Sequence, residues 1–149
     1  MIILSAGSQI LLSLIILILV FSKNQKLNPI LKWNFVKQLS AELKTQIVQR
    51  DNISFMSDDR EDFSHMVYYL RGLDIPMVKW NGDQKVDDHF ELTTNTSSLK
   101  GLDVIFLTRT KPTPAMINNC KEVEKLESMS FIINNKIRYY NIFLFKNWK

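Results

Sequence analysis

The first 22 residues place the strongest constraint on this 149-residue chain, because none of them carries a charged side chain. From Ile2 to Phe21 the sequence is almost continuously apolar. A helix of about 20 residues, rising about 1.5 Å per residue, matches the ~30 Å hydrocarbon core of a bilayer. The interruptions are few and small or polar, namely Ser5, Gly7, Ser8, Gln9 and Ser13. The sequence therefore predicts a transmembrane helix at 1–22.

A cleavable signal peptide is the competing interpretation of this segment. It is disfavoured because no basic residue precedes the apolar run and "VFSKNQK" lacks a small-residue cleavage pattern. Lys23, Lys26 and Lys32 follow the run, and the positive-inside rule places that side of a lone anchor in the cytoplasm. We therefore expect a single-pass protein of the cell membrane, with the lipid bilayer as one partner.

All 19 basic and 15 acidic residues lie beyond this run. The lysines are scattered, and no basic stretch alternates with aromatic residues, so we expect no nucleic-acid partner. The one cysteine, Cys120, cannot form an internal disulfide, and we interpret it as a small core or surface residue. No pattern in the chain calls for a cofactor.

Residues 23–32 are predicted to be a polar connector, and 33–149 a soluble α/β domain. Apolar spacing of three and four predicts a helix at 33–50 with Asn34 as its N-cap, and a second helix closed by Gly72. The remaining predicted elements are strands at 53–56, 75–81, 89–92 and 102–110, a helix in 111–128, and a hairpin of 128–135 with 137–148. This order predicts a transmembrane helix followed by a small mixed-sheet α/β domain with a C-terminal β-hairpin.

The stretch "SDDREDFSHMVYYLRG" concentrates acidic residues where a strand ends and a helix begins. Capping explains them well, because Asp58 and Glu61 have capping-box spacing and acids in a first turn favour the helix dipole. A binding site is the alternative, because open α/β sheets place ligands at the carboxyl ends of strands. There Asp58 and Asp59 could hold a cation or act as acid and base.

A second acidic cluster, "DDHFEL", contains His89 and Glu91. Its residue types suit a metal, but the sequence alone does not bring it near Asp58 and Asp59. A solvated, structural role is therefore the favoured interpretation of this cluster.

Motifs in 33–145 resemble, in order, the C-terminal soluble segment of bacterial family 39 glycosyltransferases, which are similar to protein and lipid mannosyltransferases. The resemblance is carried by D-D-R, Y-Y-x-R, W-N-x-D, H-F-E-L-T, T-R and R-x-Y-Y motifs. The matching residues are Asp58, Asp59, Arg60, Tyr68, Tyr69, Arg71, Trp80, Asn81, Asp83, His89, Phe90, Glu91, Leu92, Thr93, Thr108, Arg109, Arg138, Tyr139 and Tyr140.

The resemblance implies an accessory domain on the periplasmic side, opposite to the side that the flanking lysines favour. In that family the donor is an isoprenoid-phosphate-linked sugar, and the catalytic carboxylates lie in an early loop between the first helices. The implied partners are the transmembrane remainder of a glycosyltransferase or a lipid-linked sugar acceptor system. By this resemblance the chain is a truncated or split-off fragment, inactive alone, and Asp58 and Asp59 are not the catalytic acids.

Two other functions remain open. One is a membrane-tethered module that binds a partner protein. The other is an anchored metal-dependent enzyme in which Asp58, Asp59, His89 and Glu91 converge on the metal. The candidate ligand residues common to these interpretations are Asp58, Asp59, Arg60, Tyr69, Arg71, Trp80, Asn81, His89, Glu91 and Arg109.

Overall fold

A computed structural model describes residues 2–22, 29–82, 85–133 and 135–149. The predicted connector at 23–28 and the motif residue Asp83 lie outside these ranges. The helices, numbered in chain order, are α1 (Ile2–Phe21), α2 (Pro29–Val48), α3 (Arg60–Leu70), α4 (His89–Thr93) and α5 (Pro114–Asn118). The strands are β1 (Ile53–Ser57), β2 (Met77–Lys79), β3 (Asp103–Thr108), β4 (Glu122–Ile133) and β5 (Lys136–Lys146). A short 3₁₀ helix covers Thr96–Leu99.

The predicted transmembrane helix is wrong. In the part of the chain that the structure describes, no helix combines the length and the apolar character needed to cross a membrane. The segment does form a helix, α1, in which Ser5, Gly7, Ser8, Gln9 and Ser13 interrupt the apolar sequence.

The mixed five-stranded sheet confirms the α/β part of the prediction. Its strand order is β2-β1-β3-β5-β4, with β1, β2 and β3 parallel and with β5 antiparallel to both β3 and β4. Burial on both faces explains the continuous apolar run of β3, and β1 is buried throughout although it contains Ser54 and Ser57. Asn135 adopts a φ of 62° in the turn of the β4–β5 hairpin, a conformation that asparagine tolerates.

Each face of the sheet has its own apolar core. On the first face α2 and α3 contribute Leu39, Leu43 and Met66, which pack against Ile105 and Leu107 of β3. Alternate residues of the same strand enter the second core, where the 3₁₀ helix, α5 and the C-terminal residues cover the sheet. Members of that core include Leu99, Phe106, Met116, Phe145 and Trp148, and the free Cys120 is also buried there.

Two predicted helices differ from the structure in where they begin or end. The helix α2 begins at Pro29 rather than after an Asn34 cap, because proline is well accommodated in a first helical turn. The helix predicted in 111–128 ends at Asn118, and β4 begins at Glu122. Pairing along β5 outweighs the helical preference of "KEVEKLES", because a strand there satisfies the backbone groups of the β5 edge.

Candidate functional site

The connections after β1 and β3 create a crevice at the carboxyl ends of these two parallel neighbours. The chain leaves β1 toward α3 on one face of the sheet and leaves β3 toward α5 on the other face. This reversal of direction is the point at which open α/β sheets bind ligands. The crevice, of about 260 Å³, is lined by Asp58, Asp59, Thr108, Arg109 and Thr110.

The N-terminus of α3 is capped by Asp59, one residue after the predicted cap. The Asp59 carboxylate accepts a hydrogen bond from the Asp62 N–H at 3.0 Å. Capping by Asp59 leaves Asp58 free to turn into the crevice, where its Oδ2 accepts a hydrogen bond from the Thr108 hydroxyl at 2.9 Å. Burial raises the pKa of Asp58, and the Thr108 hydrogen bond offsets part of that rise. The capping interpretation therefore fits Asp59, whereas Asp58 faces a potential ligand.

The guanidinium of Arg109 joins the acidic residues of α3. Its Nη2 lies 2.6 Å from Asp62 Oδ1 and 3.2 Å from Glu61 Oε2, and its Nη1 lies 3.3 Å from Asp59 Oδ2. Arg138 reaches Glu61 from β5 at 3.5 Å. Arg109 thus supplies, from within the chain, the positive charge that the alternative interpretation of the acid-rich stretch assigned to a bound cation.

Asp62 is the most perturbed carboxyl of this cluster. Its side chain is 2% exposed, and burial raises its pKa to about 6, although the hydrogen bond from Arg109 opposes the shift. The pKa of Arg109 rises in turn, because the attraction of Asp62 outweighs the effect of burial. Among the described residues, Asp62 Oδ2 and Arg109 Nε have no hydrogen-bond partner. Asp62 is therefore buried against a partly exposed Arg109, and the pair is incompletely satisfied.

The second acidic cluster also surrounds a cation of the chain itself. Lys79, at the end of β2, is 8% exposed and lies 3.4 Å from Asp88 Oδ2 while donating to Glu91 Oε1. The Asp87 N–H donates to the other Glu91 oxygen at 2.7 Å. Burial alone would lower the pKa of Lys79, but Glu91 and Asp88 together raise it. Lys79 thus supplies to this cluster the positive charge that a metal ion would otherwise supply.

His89 is the first residue of α4 rather than part of the strand predicted at 89–92. Asp88 caps this helix by accepting hydrogen bonds from the Phe90 and Glu91 N–H groups at 2.8 and 3.1 Å. An aspartate that satisfies two N–H groups favours a helical turn over an extended segment. His89 itself is exposed on this turn.

The other candidate residues lie apart from the crevice. Arg60 is exposed at the start of α3, and Tyr69 lies near its end with its ring 5.2 Å from that of Tyr68. Arg71 lies over the Tyr68 ring at 4.6 Å. Trp80 packs edge-on against Trp148 at the second core.

Asn81 and Glu91 share a different, polar groove of about 360 Å³ between the end of β2 and α4, which Lys79 and Thr94 also line. The structure therefore brings Asp58, Asp59 and Arg109 together at one site and Asn81 and Glu91 at another. Lys79 was missed as a site residue, although a lysine inside the apolar strand "MVKW" is itself a signal of a buried ion pair.

In the described ranges, no group of three or more His, Cys, Asp or Glu side chains could hold a metal ion. The described residues therefore offer no metal site for the interpretation based on Asp58, Asp59, His89 and Glu91. In both acidic clusters, Arg109 or Lys79 supplies the positive charge that the carboxylates require.

Comparison with known proteins gives no relative for this chain: no family model, curated protein or solved structure matches it. The glycosyltransferase resemblance thus receives no support from comparison, and any function has to be argued from the site.

Proposed function

We propose that this α/β domain is a non-catalytic accessory domain that binds a hydroxyl-rich, carbohydrate-type acceptor in the crevice between β1 and β3. The observation that carries the proposal is the position of this crevice, at the reversal point of the parallel strands, with Asp58 at its wall. Holding an acceptor is also one of the two roles that the resemblance to the glycosyltransferase segment suggests, the other being to cover a membrane active site.

The chemistry of the lining favours a ligand that donates hydrogen bonds. Asp58 uses one oxygen for Thr108, and a carboxylate can accept several hydrogen bonds in all. Thr110 adds a hydroxyl group that can both donate and accept, whereas the buried Thr108 hydroxyl donates its proton to Asp58. The hydroxyls of a sugar match this set of acceptors and donors.

The charge around the crevice disfavours anionic ligands. Four carboxylates, those of Asp58, Asp59, Glu61 and Asp62, surround the Arg109 guanidinium, and Arg138 adds one further cation at Glu61. Acidic groups in excess repel phosphate at short range. A neutral polyol is therefore favoured over a nucleotide or a phosphate.

The way the carboxylates are held supports a binding role rather than catalysis. Asp59 is engaged by a helix N–H and by Arg109, and Asp62 is buried against the same guanidinium. A general base or nucleophile needs a carboxylate that can reach a reacting atom. Within this cluster only Asp58 faces the crevice without an ion-pair contact among the described residues.

The test is a titration of the isotope-labelled full chain with methyl α-mannopyranoside, followed by NMR at the amides of Asp58, Thr108 and Thr110. We expect saturable shifts at these amides. Asp58→Asn should weaken binding about tenfold, as expected when a ligand hydroxyl loses a hydrogen bond to a charged acceptor. The exposed Asp74 gives a matched control, because Asp74→Asn makes the same change in charge away from the crevice.

Two results would overturn the proposal. One is the absence of shifts at the crevice across a panel of methyl glycosides, with the fold verified by the remaining amide resonances. The other is a preference of the same amides for inorganic phosphate over the glycosides.

A further inference from the structure

A further groove, distinct from the polar groove beside α4, lies on the face of the sheet opposite α2 and α3. It has a volume of about 360 Å³ and is bounded by α5, by the segment after β3 and by the open ends of β4 and β5. Its apolar lining consists of Pro112, Ile117, Val123 and Phe143. The groove shares Thr110 with the crevice that contains Asp58, and its other lining residues are not part of that crevice.

Strand register explains the charge of this groove. Val123 pairs with Phe145 and Lys125 with Phe143, so these residues share the face that carries the groove. The flanking acids Glu122 and Glu124 alternate onto the other face, where both pair with Lys146. The lining of the groove consequently contains Lys111 and Lys125 but no acidic residue.

The two lysines are available to a ligand. Both side chains are exposed, and neither ammonium group has an ion pair or hydrogen bond within the described part of the chain. Ile117 is 46% exposed beside them. One end of the groove is fixed by Asn141, which donates to the Thr110 carbonyl at 3.0 Å.

We propose that this groove binds a small amphipathic carboxylate, whose alkyl chain contacts Ile117, Val123 and Phe143 and whose anionic head pairs with Lys111 and Lys125. The argument is charge complementarity: two cations without partners flank an apolar floor that has no compensating acid. The volume suits a short aliphatic chain, since ligand pockets of this kind start at about 300 Å³.

The experiment is a titration of the full 149-residue chain with octanoate, octanamide and acetate, each below any micelle-forming concentration. NMR of the Ile117 and Val123 methyl groups reports on the groove, and the Ile15 and Ile18 methyl groups report on the exposed apolar helix α1. Octanoate should shift the groove methyls in a saturable way. Octanamide, which lacks the charge, and acetate, which lacks the chain, should each bind at least about fivefold more weakly.

Variants separate the contribution of the lysine charges to binding from that of the apolar contacts. The double substitution Lys111→Gln and Lys125→Gln should weaken octanoate binding about fivefold, the order expected for the loss of two solvent-exposed ion pairs. Raising the salt concentration should weaken binding to the wild-type chain in the same direction. Ile117→Ala should weaken octanoate and octanamide equally, and its exposed position leaves the core intact.

The control for the lysine variant is Lys44→Gln with Lys100→Gln, an equal change in net charge at exposed positions outside the groove. This control should leave octanoate affinity unchanged. The proposal is overturned if the control weakens binding as much as the groove variant does, or if octanamide binds as tightly as octanoate. It is also overturned if octanoate shifts the α1 methyls and leaves those of Ile117 and Val123 in place.

Discussion

Arg109 and Lys79 are the cations at the centres of the two acidic clusters that the sequence singles out. Each comes from the end of a parallel strand and meets acids from the helical segment beside it. Removing a charge from water is costly unless an opposite charge and hydrogen bonds replace the lost hydration. The acidic residues therefore behave as partners of these two side chains, and Asp58 is the carboxylate left for a ligand at the crevice.

The raised pKa of Asp62 makes a prediction about pH. Because its pKa is about 6 in the folded chain and near 3.8 when unfolded, the folded state holds the proton more tightly between these values. The free energy of unfolding of the wild type, relative to Asp62→Asn, should fall by about 2 kcal/mol as pH rises from 4 to 6 and stay level above pH 7. Urea unfolding of both proteins at a series of pH values measures this difference.

Arg109 sets where that change falls on the pH scale. Since its hydrogen bond lowers the pKa of Asp62, Arg109→Gln should extend the decline to higher pH. Asp51→Asn, at an exposed position, should leave the pH profile of the wild type unchanged. A difference between wild type and Asp62→Asn that stays constant from pH 4 to 8 would show that the buried carboxyl ionises normally.

At the scale of elements, short helices are positioned by residues at their ends. The helix α4 has five residues, too few to be stable alone, and it has no buried side chain. It is attached to the sheet by Lys79 through Asp88 and Glu91, and by the Lys79 N–H, which donates to the Thr94 hydroxyl at 3.2 Å. The position of α4, and of the polar groove beside it, depends on that lysine and on Phe90, whose ring packs edge-on against Phe63 at 5.0 Å.

This dependence predicts that Lys79→Met loosens α4 while leaving the rest of the sheet in place. Losing the cation leaves two carboxylates facing each other, so the Phe90 and Thr94 amides should exchange with solvent severalfold faster than in the wild type. Hydrogen exchange followed by NMR measures both amides. Lys44→Met, on the exposed side of α2, is the matched control and should not change them. Unchanged exchange in Lys79→Met would mean that α4 is held in place without the ion pairs of Lys79.

At the scale of the whole molecule, the sheet separates two cores that share strands but not side chains. Consecutive residues of β3, Ile105 and Phe106, enter opposite cores. The first core is covered by two full helices, α2 and α3, whereas the second is covered by short segments and by Trp148 near the C-terminus. The sparser cover on the second face leaves room there for the groove beside α5.

Two separate cores predict additive effects of mutation. Ile47→Val in the first core and Phe145→Leu in the second should each lower the free energy of unfolding by about 1–2 kcal/mol. Because the two side chains lie on opposite faces, the double variant should equal the sum within about 0.5 kcal/mol. Urea unfolding of the wild type, the two single variants and the double variant measures this sum. The pair Ile47→Val and Ile105→Val, both in the first core, is the comparison within one core. A coupling above about 1 kcal/mol across the sheet would contradict independent packing.

Segments with strong local patterns were predicted correctly. The apolar runs of β1 and β3, the periodic faces of α2 and α3 and the C-terminal hairpin all appear in the structure. The errors lie where local preference and long-range pairing disagree. β4 has a helix-prone composition but pairs with β5, and His89 lies in a β-prone sequence but follows a capping aspartate. The apolar composition of α1 was correctly recognised, but its polar interruptions were underestimated.

The sequence by itself determined the helices and strands that have strong local patterns, and it located Asp58 and Asp59 at a strand end. These properties depend on contacts within a few residues, as when Asp59 caps the helix that starts beside it. Only the tertiary structure decided which cation each acidic cluster receives. Arg109 meets Asp62 across 47 residues, and the order of the strands brings them together. The same order places the crevice between β1 and β3, because the chain must leave neighbouring parallel strands toward opposite faces.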